Sequence, residues 1–271
     1  MKKFIRKLAR SAGYDIVRYQ PPRPEQLPGD VDEVSKSIIA KVSPYTLTQV
    51  YRLIGLIESV RYIVRNRVPG DIVECGVWRG GSMMATALTL LSEGDSTRKL
   101  YLYDTFEGMT PPTPEDLDHE GQSAEKLLKS APRGTGIWAY ASLEDVKANL
   151  ASTAYPQERI HYIQGSVEST LPKSLPGPLS LLRLDTDWYE STRCELTYLF
   201  PLLVRNGILI IDDYGHWQGS RQATDEYFNS IGRKPLLHRL DFTGRLIINT
   251  ELTSKVSNDV RTLDAKSGNR S

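Results

Sequence analysis

The chain has 271 residues, 39% hydrophobic and 25% charged, which suits one globular domain with a sizeable core and decorated ends. Lys and Arg number 34 against 33 Asp and Glu, a balance that gives no electrostatic case for a nucleic-acid partner. No apolar run approaches the roughly 18 residues of a membrane helix, and no signal-peptide pattern opens the chain, so a cytoplasmic protein is expected.

The opening "MKKFIRKLARSAGYDIVRY" is basic, with Phe4, Ile5, Leu8 and Ala9 at helical spacing. It predicts a helical arm that packs on its own domain or on a sister subunit of a homo-oligomer, in preference to an anionic membrane surface. "YQPPRPEQLPGD" is too rich in proline for regular helix, so residues 1–42 are expected to form an arm and connector, with the main domain spanning 43–250. From Ser43 to Asn66 the apolar positions Leu47, Val50, Tyr51, Leu53, Ile54, Ile57, Val60, Ile63 and Val64 recur at threes and fours, the pattern of an amphipathic helix ended by "VPGD".

Alternation then sets in. "DIVECGV", "KLYLYDT", "RIHYIQGS", "LSLLRLDT" and "GILIIDDY" read as short buried strands. Between them, "GSMMATALTLLSE", "LEDVKANLAS" and "YESTRCELTYLFPLLVR" read as helices. The order argues for an α/β fold, a mostly parallel sheet covered by helices on both faces. Another helix, "GSRQATDEYFNSIG", precedes a closing hairpin of "PLLHRLDF" and "GRLIINT" through "TG", and the polar residues 251–271 are expected to fray. Phe106 to Arg133 is a long polar insertion with three prolines; with "GTGIWAYAS" after it, it predicts a mobile lid over a site at about 106–141. Two cysteines, Cys75 and Cys194, fit no metal-ligand spacing and are too few for a disulfide framework, so both are expected buried and reduced.

In an open parallel sheet, ligands sit beyond the carboxyl ends of the strands near the switch point. "VECGVWRGGS" ends a strand with Glu74 and Gly76, then opens a helix with Gly80, Gly81 and Ser82, where backbone can approach a ligand. Its G-x-x-x-G-G spacing is not the dinucleotide pattern G-x-G-x-x-G, and an anionic Glu74 would repel a pyrophosphate while tolerating a cationic or zwitterionic cofactor. Asp104 ends the next strand, where such folds accept ribose hydroxyls, and Gly165 and Ser166 end a third, suited to the edge of a base.

Two later strands end in acid. "LLRLDTDWYEST" stops at Asp185 and Asp187, and "GILIIDDYGHW" at Asp212 and Asp213. A single aspartate there reads as a helix cap, but four carboxylates at two strand ends repel one another unless a cation neutralises them. All-oxygen ligation favours a hard ion, Mg²⁺ above Mn²⁺ or Ca²⁺, able to stabilise the alkoxide of a hydroxyl losing its proton. His216 and Trp217 lie just beyond.

Together, "GDIVECGVWRGGSMM", "LYDTFEGM", "LRLDTDWYEST" and "GILIIDDYGHW" resemble the macrocin O-methyltransferase family of metal-dependent sugar O-methyltransferases over roughly Ser43 to Asn249. The resemblance implies a class I methyltransferase sheet of seven strands, S-adenosylmethionine as methyl donor, and the sugar of a glycosylated natural product or glycan as acceptor. It implies Glu74, Gly76 and Ser82 around the methionine moiety, Asp104 at the ribose, and Gly165, Ser166 and Val167 at the adenine. It gives Asp185, Asp212 and Asp213 to Mg²⁺ and makes Asp187 the general base, with His216 its rival. A haloacid dehalogenase-type phosphatase or a D-x-D glycosyltransferase is the alternative. The phosphatase places its D-x-D on the first strand and needs a lysine between its acidic motifs, and the glycosyltransferase leaves "VECGVWRGGS" without a task.

Overall fold

The computed structural model describes residues 2–11, 13–14, 27–131 and 138–251. Most of the proline-rich connector, residues 132–137 and the tail after Glu251 lie outside the described residues. The arm forms the predicted helix, α1 (Lys2–Ser11), in a unit of its own, Met1–Val31.

The main body begins at Asp32, earlier than the expected start at Ser43. Asp32 caps α2 (Glu33–Val42) by accepting the N–H groups of Val34 and Ser35 at 2.9 and 3.0 Å. Ser35, Ile38, Ile39 and Val42 make its buried face. Nor does one helix run from Ser43 to Asn66. Pro44 sits in a single 3-10 turn at Ser43–Tyr45, Thr46 is extended, and α3 spans Val50–Arg65. The break lays Thr46, Leu47 and Thr48 across one end of the sheet.

The remaining elements follow the alternation: β1 (Asp71–Cys75), α4 (Gly81–Ser92), β2 (Leu100–Asp104), α5 (Ala124–Ser130), α6 (Leu143–Ala151), β3 (Ile160–Gln164), α7 (Val167–Thr170), β4 (Leu179–Leu184), α8 (Tyr189–Leu199), β5 (Leu203–Ile211), α9 (Gln218–Ser230), β6 (His238–Arg239) and β7 (Arg245–Ile248). The sheet has seven strands in the order β3-β2-β1-β4-β5-β7-β6. β7 pairs antiparallel with both β5 and β6, and the other pairings are parallel. Fully buried residues such as Val73, Leu182, Leu209 and Leu199 join strands and helices in one core, each apolar side chain contributing about 1.5–3 kcal/mol by leaving water. Cys75 is part of that core, whereas Cys194 is half-buried.

The strand order reverses between β1 and β4, and their tips touch. Gly76 has φ +77°, and a Cβ there would run into the Asp185 carbonyl. Gly76→Ala is therefore expected to lower the melting temperature, checked by thermal melting of the variant against the wild type.

Over its described part the polar insertion packs on the domain. It carries α5, and Asp116, wholly buried, accepts from the Tyr189 N–H at 2.7 Å and from the Thr113 N–H and hydroxyl at 2.6 and 2.8 Å. Ala124 and Leu128 of α5 pack on Trp188 and Trp217, with Met109 and Trp138 against them. Trp138 thus packs within the lid, while Tyr140 is exposed.

Candidate active site

A cavity of about 400 Å³ opens at the carboxyl ends of β1, β2, β3, β4 and β5. Of the residues picked out from the sequence, Gly76, Ser82, Asp104, Gly165, Ser166 and Val167 line it on one side and Asp185, Asp187, Asp212, Asp213, His216 and Trp217 on the other, whereas Glu74, Gly80 and Gly81 do not.

The glycine side is held by Asp104. Its Oδ2 accepts the N–H groups of Val77 and Trp78 at 2.7 and 3.2 Å, and its Oδ1 that of Phe106 at 2.7 Å. Burial pushes this carboxyl up and the three N–H donors pull it back. Asp104 therefore staples the glycine-rich turn to β2 while still facing the cavity. Gly165, at φ +136°, turns the chain from β3 into α7, where an added Cβ would press on Thr170.

Glu74 lies beneath the wall, paired in register with Arg183 of β4. Arg183 is 3% exposed and gathers charge from three sides: Glu74, Asp185 at 2.8 Å and Asp212 at 2.7 Å, with Thr48 Oγ1 accepting at 2.8 Å. Thr48 also meets the Ser82 hydroxyl at 3.2 Å, so the broken segment before α3 joins the β1 turn. Burial pushes Glu74 up to about 7, against the pull of Arg183. Its second oxygen has no hydrogen-bond partner among the described residues.

The four aspartates divide. Carboxylate oxygens of Asp185, Asp187 and Asp213 lie within 4.8 Å of one another. Both oxygens of Asp212 are instead engaged, one by Arg183 and the other by Arg52, which also donates to Asp241 at 2.8 Å. Grouping all four equally overlooks these two arginines. Burial and the charge of Asp213 push the Asp187 carboxyl up, and burial and the charge of Asp185 push Asp213 up. Asp187 has φ +70° and its N–H meets Asp213 at 3.3 Å. A cluster of carboxylates this crowded, in a partly buried all-oxygen setting, fits a hard divalent cation.

His216 packs against His119 of the lid, ring centroids 5.1 Å apart, and against Trp217 at 4.7 Å. Burial lowers its pKa, so the imidazole is neutral at pH 7. Arg183 carried a sequence signal, as the one charge within "LSLLRL". Thr46 and Thr48 had only Pro44 to mark their break. Arg52, on an otherwise regular helix, had none, and neither did Thr243, which lines the cavity from the β6–β7 turn.

Residues 35–247 match the family model described as Macrocin-O-methyltransferase (TylF). The chain belongs to the macrocin O-methyltransferase family. It is 34% identical over 200 residues to the 8-demethyl-8-(2,3-dimethoxy-alpha-L-rhamnosyl)-tetracenomycin-C 4'-O-methyltransferase of Streptomyces olivaceus, covering 74% of each chain. It is 31% identical over 183 residues to the demethyldecarbamoylnovobiocin O-methyltransferase of Streptomyces niveus, covering 68% of this chain and 67% of that one. Among solved structures, the O-methyltransferase NovP superposes with a TM-score of 0.67 at 30% identity, over 76% of this chain and 83% of that chain. This macrocin-family protein is accordingly an S-adenosylmethionine-dependent O-methyltransferase with the class I sheet expected from its sequence. The family match begins at residue 35, within α2, in keeping with a body that starts before Ser43.

Proposed function

We propose that the protein transfers a methyl group from S-adenosylmethionine to a sugar hydroxyl of a glycosylated natural product or glycan, using Mg²⁺, in the cytoplasm. The observation that supports this most is the gathering of Asp185, Asp187 and Asp213 within 4.8 Å on the wall of the cavity that also holds Gly76, Asp104 and Gly165. The relative named for a rhamnosyl-tetracenomycin substrate supports the sugar as acceptor.

Asp104, the glycine-rich turn and Gly165 to Val167 hold the donor. Asp185 and Asp213 are the proposed holders of the cation. Asp212 is the third, since carboxylate oxygens engaged by arginines keep free lone pairs. When bound, the cation supplies stabilisation of the negative charge that develops on the acceptor oxygen. Asp187, whose burial raises its affinity for a proton, removes the hydroxyl proton. The oxygen then attacks the sulfonium methyl in line, and fixing donor and acceptor in contact supplies much of the acceleration. The neutral His216 is the second candidate for the proton. The phosphatase and glycosyltransferase alternatives gain nothing from the family match.

The test is turnover of methyl-labelled S-adenosylmethionine with a panel of deoxysugar glycosides. Label is expected on a sugar oxygen, with EDTA abolishing transfer and added Mg²⁺ restoring it. Label on an aglycone hydroxyl alone contradicts the acceptor, and transfer indifferent to EDTA contradicts the metal.

A further inference from the structure

The mechanism above leaves one buried acid unused. Glu195 of α8 is 0% exposed, among helix neighbours Leu196 and Leu199 that enter the sheet core. One of its oxygens accepts the Thr186 hydroxyl at 2.9 Å, and the other has no hydrogen-bond partner among the described residues. Burying a carboxyl with half its hydrogen-bonding capacity unmet is costly, and a leucine would fill the space without that cost. The retained contact is therefore informative.

Thr186 is the middle residue of the Asp185-Thr186-Asp187 turn and lines the cavity. Its carbonyl accepts the Trp188 N–H at 2.8 Å, while Asp185 donates its own N–H to the Cys75 carbonyl at 2.9 Å. The residue after it, Asp187, sits at φ +70°, a left-handed conformation uncommon for residues with a Cβ although aspartate adopts it more readily than most. Among the described residues the Thr186 side chain has a single hydrogen-bonding anchor, Glu195.

We infer that Glu195 is a positioning residue for methyl transfer: by holding Thr186 it fixes the turn that aims Asp185 and Asp187 at the acceptor. The inference rests on the proposed reading of the carboxylate cluster as the chemical centre. Glu195 itself touches neither substrate nor cofactor.

The test compares Glu195→Leu, Glu195→Gln and Thr186→Val in the full chain. It uses the panel glycoside that the wild type methylates best, calorimetry with S-adenosylhomocysteine and thermal melting. Glu195→Leu is expected to lower kcat roughly 10- to 100-fold, the scale of a misplaced catalytic group, while cofactor-product affinity stays unchanged. Glu195→Gln, whose amide oxygen still accepts from Thr186, is expected to keep kcat within about threefold of wild type. Thr186→Val is expected to reproduce the leucine loss, and the double variant to be no worse than either, because both remove one contact. Should Glu195→Leu fail to fold, Thr186→Val alone carries the expected loss. A wild-type kcat in the folded leucine or valine variant overturns the inference, as does a glutamine variant as slow as leucine. Asp187→Asn run alongside separates the two levels: inactive Asp187→Asn with fully active Glu195→Leu overturns the positioning role alone, and active Asp187→Asn overturns Asp187 as the proton acceptor, the part of the cluster reading on which the inference rests.

Discussion

Asp187→Asn is expected to lower kcat on the order of 10³-fold, within the range of lost general-base catalysis, with S-adenosylmethionine affinity little changed. The amide keeps the size of the carboxylate and part of its hydrogen bonding, so the turn at φ +70° has no steric reason to move. What disappears is the group that accepts a proton. Cofactor affinity is spared because the donor contacts lie on the Gly76, Asp104 and Gly165 side of the cavity. Steady-state kinetics with calorimetry measures both quantities. A kcat near that of wild type would transfer the proton to His216, whose neutral imidazole lines the same cavity.

The largest expected loss of stability comes from Arg183→Met. The guanidinium is 3% exposed and pairs with Glu74 and Asp212, each 2% exposed, and with Asp185. Removing one partner of a buried ionic group costs about 3–5 kcal/mol because the remaining charges stay desolvated. At ~2–4 °C per kcal/mol for a domain of this size, the melting temperature falls by roughly 10 °C. The cost depends on pH, and its sign follows from Glu74. Its folded pKa, about 7, lies above the ordinary glutamate value of 4.5, so its titration favours the folded state at low pH, and that contribution is lost as pH rises through 7. Without Arg183 the folded pKa rises further. Above pH 7 the variant must then either keep Glu74 protonated or bury its charge unpaired, whereas the wild type ionises it beside the guanidinium. Thermal melts should therefore show a wider gap between variant and wild type at pH 8 than at pH 6. Equal gaps would mean that Glu74 and Arg183 do not interact as the structure places them.

The sheet was legible because its strands are short apolar runs broken by amphipathic helices, and the acidic pairs because each interrupts such a run at its end. α2 was less visible: ten residues with two lysines beside a proline-rich connector carry a weak apolar period. The break before α3 was hidden because Leu47 and Val50 continue the helical spacing straight through it. Asp116 looks in sequence like any acid of a polar loop, and only the fold shows that it is wholly buried and ties the lid to the start of α8. Glu195 was hidden in the opposite sense, as a polar helix position that turns out to face the core. Pairing between arginines and aspartates depends on which strands and helices become neighbours, so Arg52 at Asp212 follows only from the assembled sheet.

The central claim, that these carboxylates grip a divalent cation beside the methyl donor, is tested most directly by anomalous diffraction from crystals grown with Mn²⁺ and S-adenosylhomocysteine. A manganese peak bounded by Asp185, Asp212 and Asp213, next to the bound nucleoside, is the predicted result. Bound S-adenosylhomocysteine with no manganese peak among those carboxylates would contradict it.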